Sequence, residues 1–244
     1  MNGWLVVFAK EPAPGRVKTR LTPPFSPAQA SQFYRCLLED ALDESAHAAA
    51  LLKLDAVVAV DPPGGVAAIA ARAPAGFRAI SQAAGDLGRR MSAVAHQAAA
   101  AGAPFVLLRG SDSPCLERET LRAAAAALSQ TDVVLCPDRD GGYNLVGLAQ
   151  QALGGSAVGT LFEHPMSTPT VLRDTRARAE KLGLRVDLLP AGFDIDRFDD
   201  LRWLAAARAG ARPLRCRRTL GFLDEAGLWP APDGRAQLRT DPSF

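Results

Sequence analysis

Short apolar runs alternate with longer helical stretches along almost the whole chain, and that rhythm restricts the fold more than any single motif. Residues 5–9, 54–60, 77–80, 104–108, 132–136, 143–148 and 184–189 read as strands, several of them continuously apolar. Between them lie helical stretches, one opening at Ser26-Pro27-Ala28-Gln29, where Ser caps, Pro takes the first turn and Gln stands at the third position. Further helices are expected after 64–65 (short and Ala-rich), over 85–101 and 117–128, from Thr168-Pro169 onward, and over 196–209 with Asp196 as a candidate cap. Strands alternating with helices imply right-handed βαβ units and a mostly parallel sheet, an α/β three-layer sandwich. The reading is one domain over residues 1–210, with a hairpin excursion near 138–148 and a weakly patterned tail over 211–244.

The bulk numbers exclude several classes. The chain has 244 residues, 48% apolar and 22% charged, which is ordinary globular usage. A net charge of +2 argues against a dedicated nucleic-acid binder. The arginines at 208, 212, 215, 217 and 218 read as a solvated face, with an anionic partner as the alternative. Four separated cysteines and three scattered histidines give no zinc pattern, and Cys36 and Cys136 read as core thiols. The opening apolar run is short for a signal peptide and no window suits a membrane span, so the expectation is a cytoplasmic protein without membrane insertion.

Five segments carry the chemistry. Leu107-Leu108-Arg109-Gly110-Ser111-Asp112-Ser113-Pro114 ends a strand at a glycine and presents Asp112 where open parallel sheets bind ligands. A carboxylate there suits a divalent cation, and the cation suits a phosphate. Lys10 to Leu21 is a first strand-to-helix loop with Gly15 and the alternating cations Arg16, Lys18 and Arg20, a diphosphate-binding loop or a solvated basic one. Gly85-Asp86-Leu87-Gly88-Arg89-Arg90 either holds a ribose or phosphate or is a capped helix start. Asp138 to Asn144 is a diglycine turn followed by Tyr143-Asn144, suited to a sugar or acceptor. Asp194-Ile195-Asp196 supplies the second carboxylate that Asp112 needs, unless Asp196 merely caps its helix. Neither a G-x-S-x-G elbow nor a nucleophile near His47, His96 or His164 supports Ser-His-Asp chemistry.

Taken together these segments resemble a bacterial family of GT-A-type transferases associated with radical-SAM and selenodomain proteins, some linked to arsenosugar biosynthesis. The resemblance rests on Phe8-Ala9-Lys10-Glu11-Pro12-x-Pro14-Gly15-x-Val17-Lys18-Thr19-Arg20-Leu21, Gly85 to Met91, Gly110-Ser111-Asp112-x-Pro114, Asp140-Gly141-Gly142-Tyr143, Ser167-Thr168-Pro169-x-Val171-Leu172 and Asp194-Ile195-Asp196-x-x-Asp199-Asp200-Leu201. These run in order from residue 4 to about residue 205. More distantly the chain is similar to the 2-phospho-lactate and molybdenum-cofactor guanylyltransferases. The resemblance implies a Rossmann-like nucleotide-diphospho-sugar transferase fold and Mg²⁺ or Mn²⁺ held by Asp112 and Asp196, with Asp194 as a further candidate. It implies catalytic roles for Asp112 and Lys18. Nucleotide contacts are expected from Ala9, Lys10, Gly15, Arg16, Lys18, Arg20, Asp86, Arg89 and Ser111. Acceptor contacts are expected from Asp140, Gly141, Gly142, Tyr143, Asn144, Ser167 and Thr168. Two departures stand out: the glycosyltransferase Asp-x-Asp is here Ser111-Asp112-Ser113, and the nucleotidyltransferase opening is reduced to Gly15 and basic residues. Three functions stay open: glycosyl transfer from a nucleotide-sugar to a small molecule, nucleotidyl transfer to a small phosphorylated substrate, or a nucleotide-binding module without catalysis. Oligomeric state is equally open, a homodimer being one option.

Overall fold

Alternation along each strand divides its side chains between two helical layers. In β1 (Trp4–Lys10), Trp4 and Val6 join the core on one face, while Leu5, Val7 and Ala9 join the cores on the other. The computed structural model describes residues 1–154 and 157–230. After β1 come α1 (Pro27–Leu52), β2 (Asp55–Asp61), α2 (Val66–Ala70), β3 (Arg78–Ser81) and α3 (Leu87–Ala100). Then follow β4 (Phe105–Arg109), α4 (Arg118–Ala127), β5 (Val133–Pro137), β6 (Tyr143–Ala149), α5 (Gln150–Leu153) and α6 (Ala157–Leu161). The described chain ends with α7 (Val171–Lys181), β7 (Val186–Leu188), α8 (Leu201–Arg208) and α9 (Arg217–Ala226).

The seven strands form one sheet in the order β3-β2-β1-β4-β6-β5-β7. β1 pairs in parallel with both β2 and β4, so the strand order reverses between β1 and β4. A crevice opens at their carboxyl ends, the usual ligand position in such sheets. The 143–148 run is not an excursion from the sheet. β6 lies inside it, antiparallel to both β4 and β5, because its Leu145, Val146 and Leu148 are all needed by the core. Among the described residues no helix is long and apolar enough to cross a membrane.

Local signals explain most element starts. Ser26 accepts from Gln29 N–H at 3.2 Å while the Gln29 side chain accepts from Ser26 N–H at 2.8 Å, a complete capping box with Pro27 in the first turn. Asp86 caps α3 by accepting from Arg89 N–H at 2.9 Å. Two expected starts move. The helix expected at Thr168-Pro169 begins at Val171, since the Thr168 hydroxyl bonds the Thr170 hydroxyl rather than a backbone N–H. Leu172 N–H donates to the Gly141 carbonyl at 3.0 Å, tying that first turn to the diglycine turn. Gly141 has φ 91°, and a Cβ there would collide with the Pro169 carbonyl, so this junction needs glycine. Asp196 likewise does not begin a helix. Asp200 accepts from the N–H groups of Asp196 (3.0 Å) and Arg197 (2.6 Å), and α8 begins at Leu201 after a short 3₁₀ turn.

The weakly patterned stretch beyond Arg212 contains a helix. α9 buries Thr219, Phe222 and Leu223 and completes a separate core with Phe25, Phe33, Ile195 and Leu204. Its first turn is held by Asp40 of α1, which accepts from Thr219 N–H and Thr219 Oγ1, both at 2.8 Å. Asp40→Ala leaves those buried donors unpaired. The expected cost is about 2–3 kcal/mol, read as a lower urea midpoint with an unchanged slope.

Candidate functional site

Each strand flanking the reversal point delivers a polar residue just past its end, and α1 joins the two. Tyr34, buried on α1, accepts from Lys10 N–H at 2.8 Å and shares a 2.9 Å hydrogen bond with Ser111. Its hydroxyl therefore fixes the spacing between the β1 loop and the β4 loop. Arg109, 2% exposed, holds the β4 loop from below. Its guanidinium donates to the carbonyls of Gly110 (2.9 Å), Leu116 (3.1 Å) and Ser113 (3.4 Å). Burial lowers its pKa to about 10, so it stays charged at neutral pH.

On this frame Lys18 meets Asp112. Lys18 adopts a left-handed backbone (φ 48°), uncommon for a non-glycine residue. With Val17 buried in the core beside it, the turn aims the Lys18 side chain into the crevice. The ammonium lies 2.8 Å from Asp112 and 3.9 Å from Asp196, with its side chain only 6% exposed. Burial pulls the Lys18 pKa down, but Asp112, Asp194 and Asp196 outweigh it and the pKa is raised. Burial pushes Asp112 upward, and Lys18 reverses that, holding the carboxyl below its usual range. Arg20 takes the other side of Asp196 at 2.7 Å.

The 194–196 segment reaches this pair through its backbone. Ile195 N–H donates to the Asp112 carbonyl at 3.0 Å and its side chain is fully buried, so Asp194 and Asp196 both line the crevice. Their charges differ. Asp196 has two cationic partners, whereas Asp194 has none within ion-pair distance among the described residues. Burial, followed by Asp112 and Asp138, pushes the Asp194 carboxyl up to about 8. Asp138 is also raised, by burial and by Asp140, and accepts from Asn144 Nδ2 at 3.3 Å. Among the described residues the buried Asn144 Oδ1 has no hydrogen-bond partner.

These groups line one cleft of about 1270 Å³. Of the residues expected from sequence, Ala9, Lys10, Lys18, Arg20, Asp86, Ser111, Asp112, Asp140, Gly142, Tyr143, Asn144, Ser167, Thr168, Asp194 and Asp196 line it. Gly15, Arg16, Arg89 and Gly141 do not. Gly15 and Arg16 lie exposed in a turn in which Arg16 N–H bonds the Ala13 carbonyl, ahead of the residue that points inward. Arg89 folds back over Gly85, and its neighbour Arg90 faces the cleft instead. Arg90 is fixed there by Asp61 (2.8 Å), the Gly85 carbonyl (2.8 Å) and Gln82 (3.2 Å). Gln82 is itself held by the carbonyls of Ala59 and Ala9. Arg90 and Arg139 fall within segments already singled out from sequence, whereas Tyr34, Gln82, Arg202 and Trp203 line the cleft with no sequence signal that marked them. Among the described residues, no three His, Cys, Asp or Glu side chains group into a metal cage.

A family described as an uncharacterized protein conserved in bacteria (DUF2064) has a model that matches residues 44–167, half of the chain. The chain belongs to this family. A crystal structure from Desulfovibrio desulfuricans, a proposed nucleotide-diphospho-sugar transferase, is 27% identical with a TM-score of 0.79, covering 93% of this chain and 96% of that one. A cytidylyltransferase from Leptospira borgpetersenii is 11% identical with a TM-score of 0.56, over 93% and 94% of the two chains. The 4-diphosphocytidyl-2C-methyl-D-erythritol synthase of Anaerococcus prevotii is 12% identical with a TM-score of 0.53, over 84% and 96%. The last two show a shared α/β fold. No curated protein matches the chain in sequence.

Proposed function

We propose that this protein is a metal-dependent transferase that takes a nucleotide-sugar donor and releases a nucleoside diphosphate. The observation that carries this reading is the buried Lys18 ammonium, set against Asp112 and Asp196 where the sheet order reverses. The likeness to the Desulfovibrio structure supports the sugar-nucleotide version over nucleotidyl transfer.

The residues present suit a divalent cation. Asp194 has no ion-pair partner among the described residues and lies next to Asp112 in one cleft, so a cation bound there would supply the counter-charge its ionised form lacks. Asp196, the partner suggested by motif position, is occupied by Arg20 and Lys18, so Asp194 is the better companion for Asp112. Two carboxylates with substrate phosphates and water form a usual Mg²⁺ environment. A bound cation would neutralise the diphosphate as it leaves. Lys18 and Arg20 provide fixed positive charge for the same oxygens, already oriented by their aspartates. Lys10, Asp86, Gln82 and Arg90 line the donor side, and Asp140, Tyr143, Asn144, Ser167 and Thr168 the acceptor side.

The test is a thermal-shift series with uridine, guanosine and cytidine diphosphates, their sugars and the triphosphates, with and without Mn²⁺. A diphosphate or its sugar is expected to stabilise only with metal, and Asp112→Asn is expected to remove that shift. Stabilisation by a triphosphate alone would move the assignment to nucleotidyl transfer. Stabilisation of Asp112→Asn equal to wild type would overturn the metal role.

A further inference from the structure

The acceptor side of the cleft carries charge that the donor clamp leaves unused. Arg139, in the turn between β5 and β6, and Arg202, in the first turn of α8, both reach Trp203. Their guanidinium carbons lie 3.9 and 4.7 Å from its ring centroid. All three side chains line the cleft with Asp140 and Tyr143. Stacking engages the flat face of a guanidinium and leaves its N–H edges free to donate. Among the described residues those edges meet no carboxylate. The nearest acids in sequence are engaged by backbone: Asp138 accepts from Arg139 N–H, Asp140 from Gly142 N–H, and Asp200 from Asp196 and Arg197 N–H. Arg208 offers a contrast, because it stacks on Trp229 and is also paired with Asp224 at 2.6 Å. Two cations against one ring repel each other, and an incoming dianion removes that repulsion.

We propose that Arg139, Arg202 and Trp203 form a subsite for a phosphate monoester, so that the acceptor is a small phosphorylated molecule. Two guanidinium forks match a dianion with three exposed oxygens better than they match one carboxylate. This rests on the transferase reading above only in calling the ligand the acceptor.

The test titrates inorganic phosphate, then acetate, into wild-type protein and an Arg139→Gln/Arg202→Gln variant, following heat and tryptophan fluorescence. Both arginines are exposed, so the variant is expected to keep the wild-type melting curve. Phosphate is expected to saturate the wild-type protein and to bind the variant about tenfold more weakly or worse. Equal phosphate affinity in both proteins, absence of binding to wild type, or acetate binding as tightly as phosphate would overturn the proposal. A separate nucleoside diphosphate titration with Mn²⁺ is expected to give equal affinity in both proteins. Its failure in both would count against the transferase reading alone, because the phosphate titration reads the subsite directly.

Discussion

Lys18→Met is expected to reduce transfer by about 10²–10³-fold and to lower stability in the same protein. The ammonium is nearly fully buried, and 2.8 Å away it faces a carboxylate that is 30% exposed. Removing it leaves Asp112 without its main counter-charge, a loss of about 2–3 kcal/mol after allowing for that exposure. In a chain of this size the melting temperature falls by roughly 4–12 °C. The pH dependence has a definite sign. Asp112 is held below its usual pKa, so its contribution is present above the unfolded carboxylate value and is lost as pH falls through the folded one. Without Lys18 that acid limb shrinks, since the shift that produces it is gone. Mn²⁺ is expected to stabilise Lys18→Met more than wild type, because a cation again faces Asp112, while transfer stays low. Equal loss of both metal and nucleotide effects would show a collapsed site instead of a missing ammonium.

The strands and caps were legible because their signals are local. An apolar run cut off by a glycine or proline identifies β4 without reference to any partner, and Ser26-Pro27-Ala28-Gln29 encodes the start of α1 within four residues. The place of β6 was not local. Its hydrophobic pattern is the same whether it pairs off the edge or inserts between β4 and β5, and only the completed sheet decides. The start of α9 depends on Asp40, 179 residues away from Thr219, and nothing near Cys216 predicts it. Thr168 satisfied the rule for a helix cap, yet contact with Gly141 moved the start to Val171.

The same division runs through the cleft. Asp112 stands just beyond β4 and Lys18 in the loop that follows β1, where the fold class already points to ligand binding. Tyr34 reads as one more core position of an amphipathic helix, and only its hydroxyl betrays its role in joining two loops. Gln82 and Trp203 were hidden for similar reasons, since their backbone settings give no sign of which way they face. Arg89 and Arg90 were a pair from which helix phase alone chooses, and the choice fell on Arg90. Between Asp194 and Asp196 the motif favoured the latter. Charge pairing favours the former, because Arg20 from a different loop neutralises Asp196.

That distinction gives Asp194→Asn two effects of opposite direction. Without metal, the Asp194 carboxyl is raised to about 8, far above an unfolded aspartate. The folded state therefore binds an extra proton across that interval. The stabilisation is complete below the unfolded value and is lost as pH rises through about 8. Asn carries no charge, so in EDTA near that upper limit the variant is expected to melt several degrees above wild type and to lose this component of the pH slope. With Mn²⁺ the order is expected to reverse, because Asp194 would help Asp112 hold the cation in wild type and the variant lacks that carboxylate. Proton release should accompany that gain: wild-type metal affinity rises as pH approaches about 8 and then levels off, whereas the variant's stays flat and weak. Asp196→Asn is the comparison that decides between the two acids. It is expected to keep most of the Mn²⁺ shift, since Asp196 already answers to Lys18 and Arg20. If Asp196→Asn instead removes the shift and Asp194→Asn retains it, the metal belongs to Asp112 and Asp196. Asp194 would then be a buried acid that lowers stability at neutral pH without holding the ion.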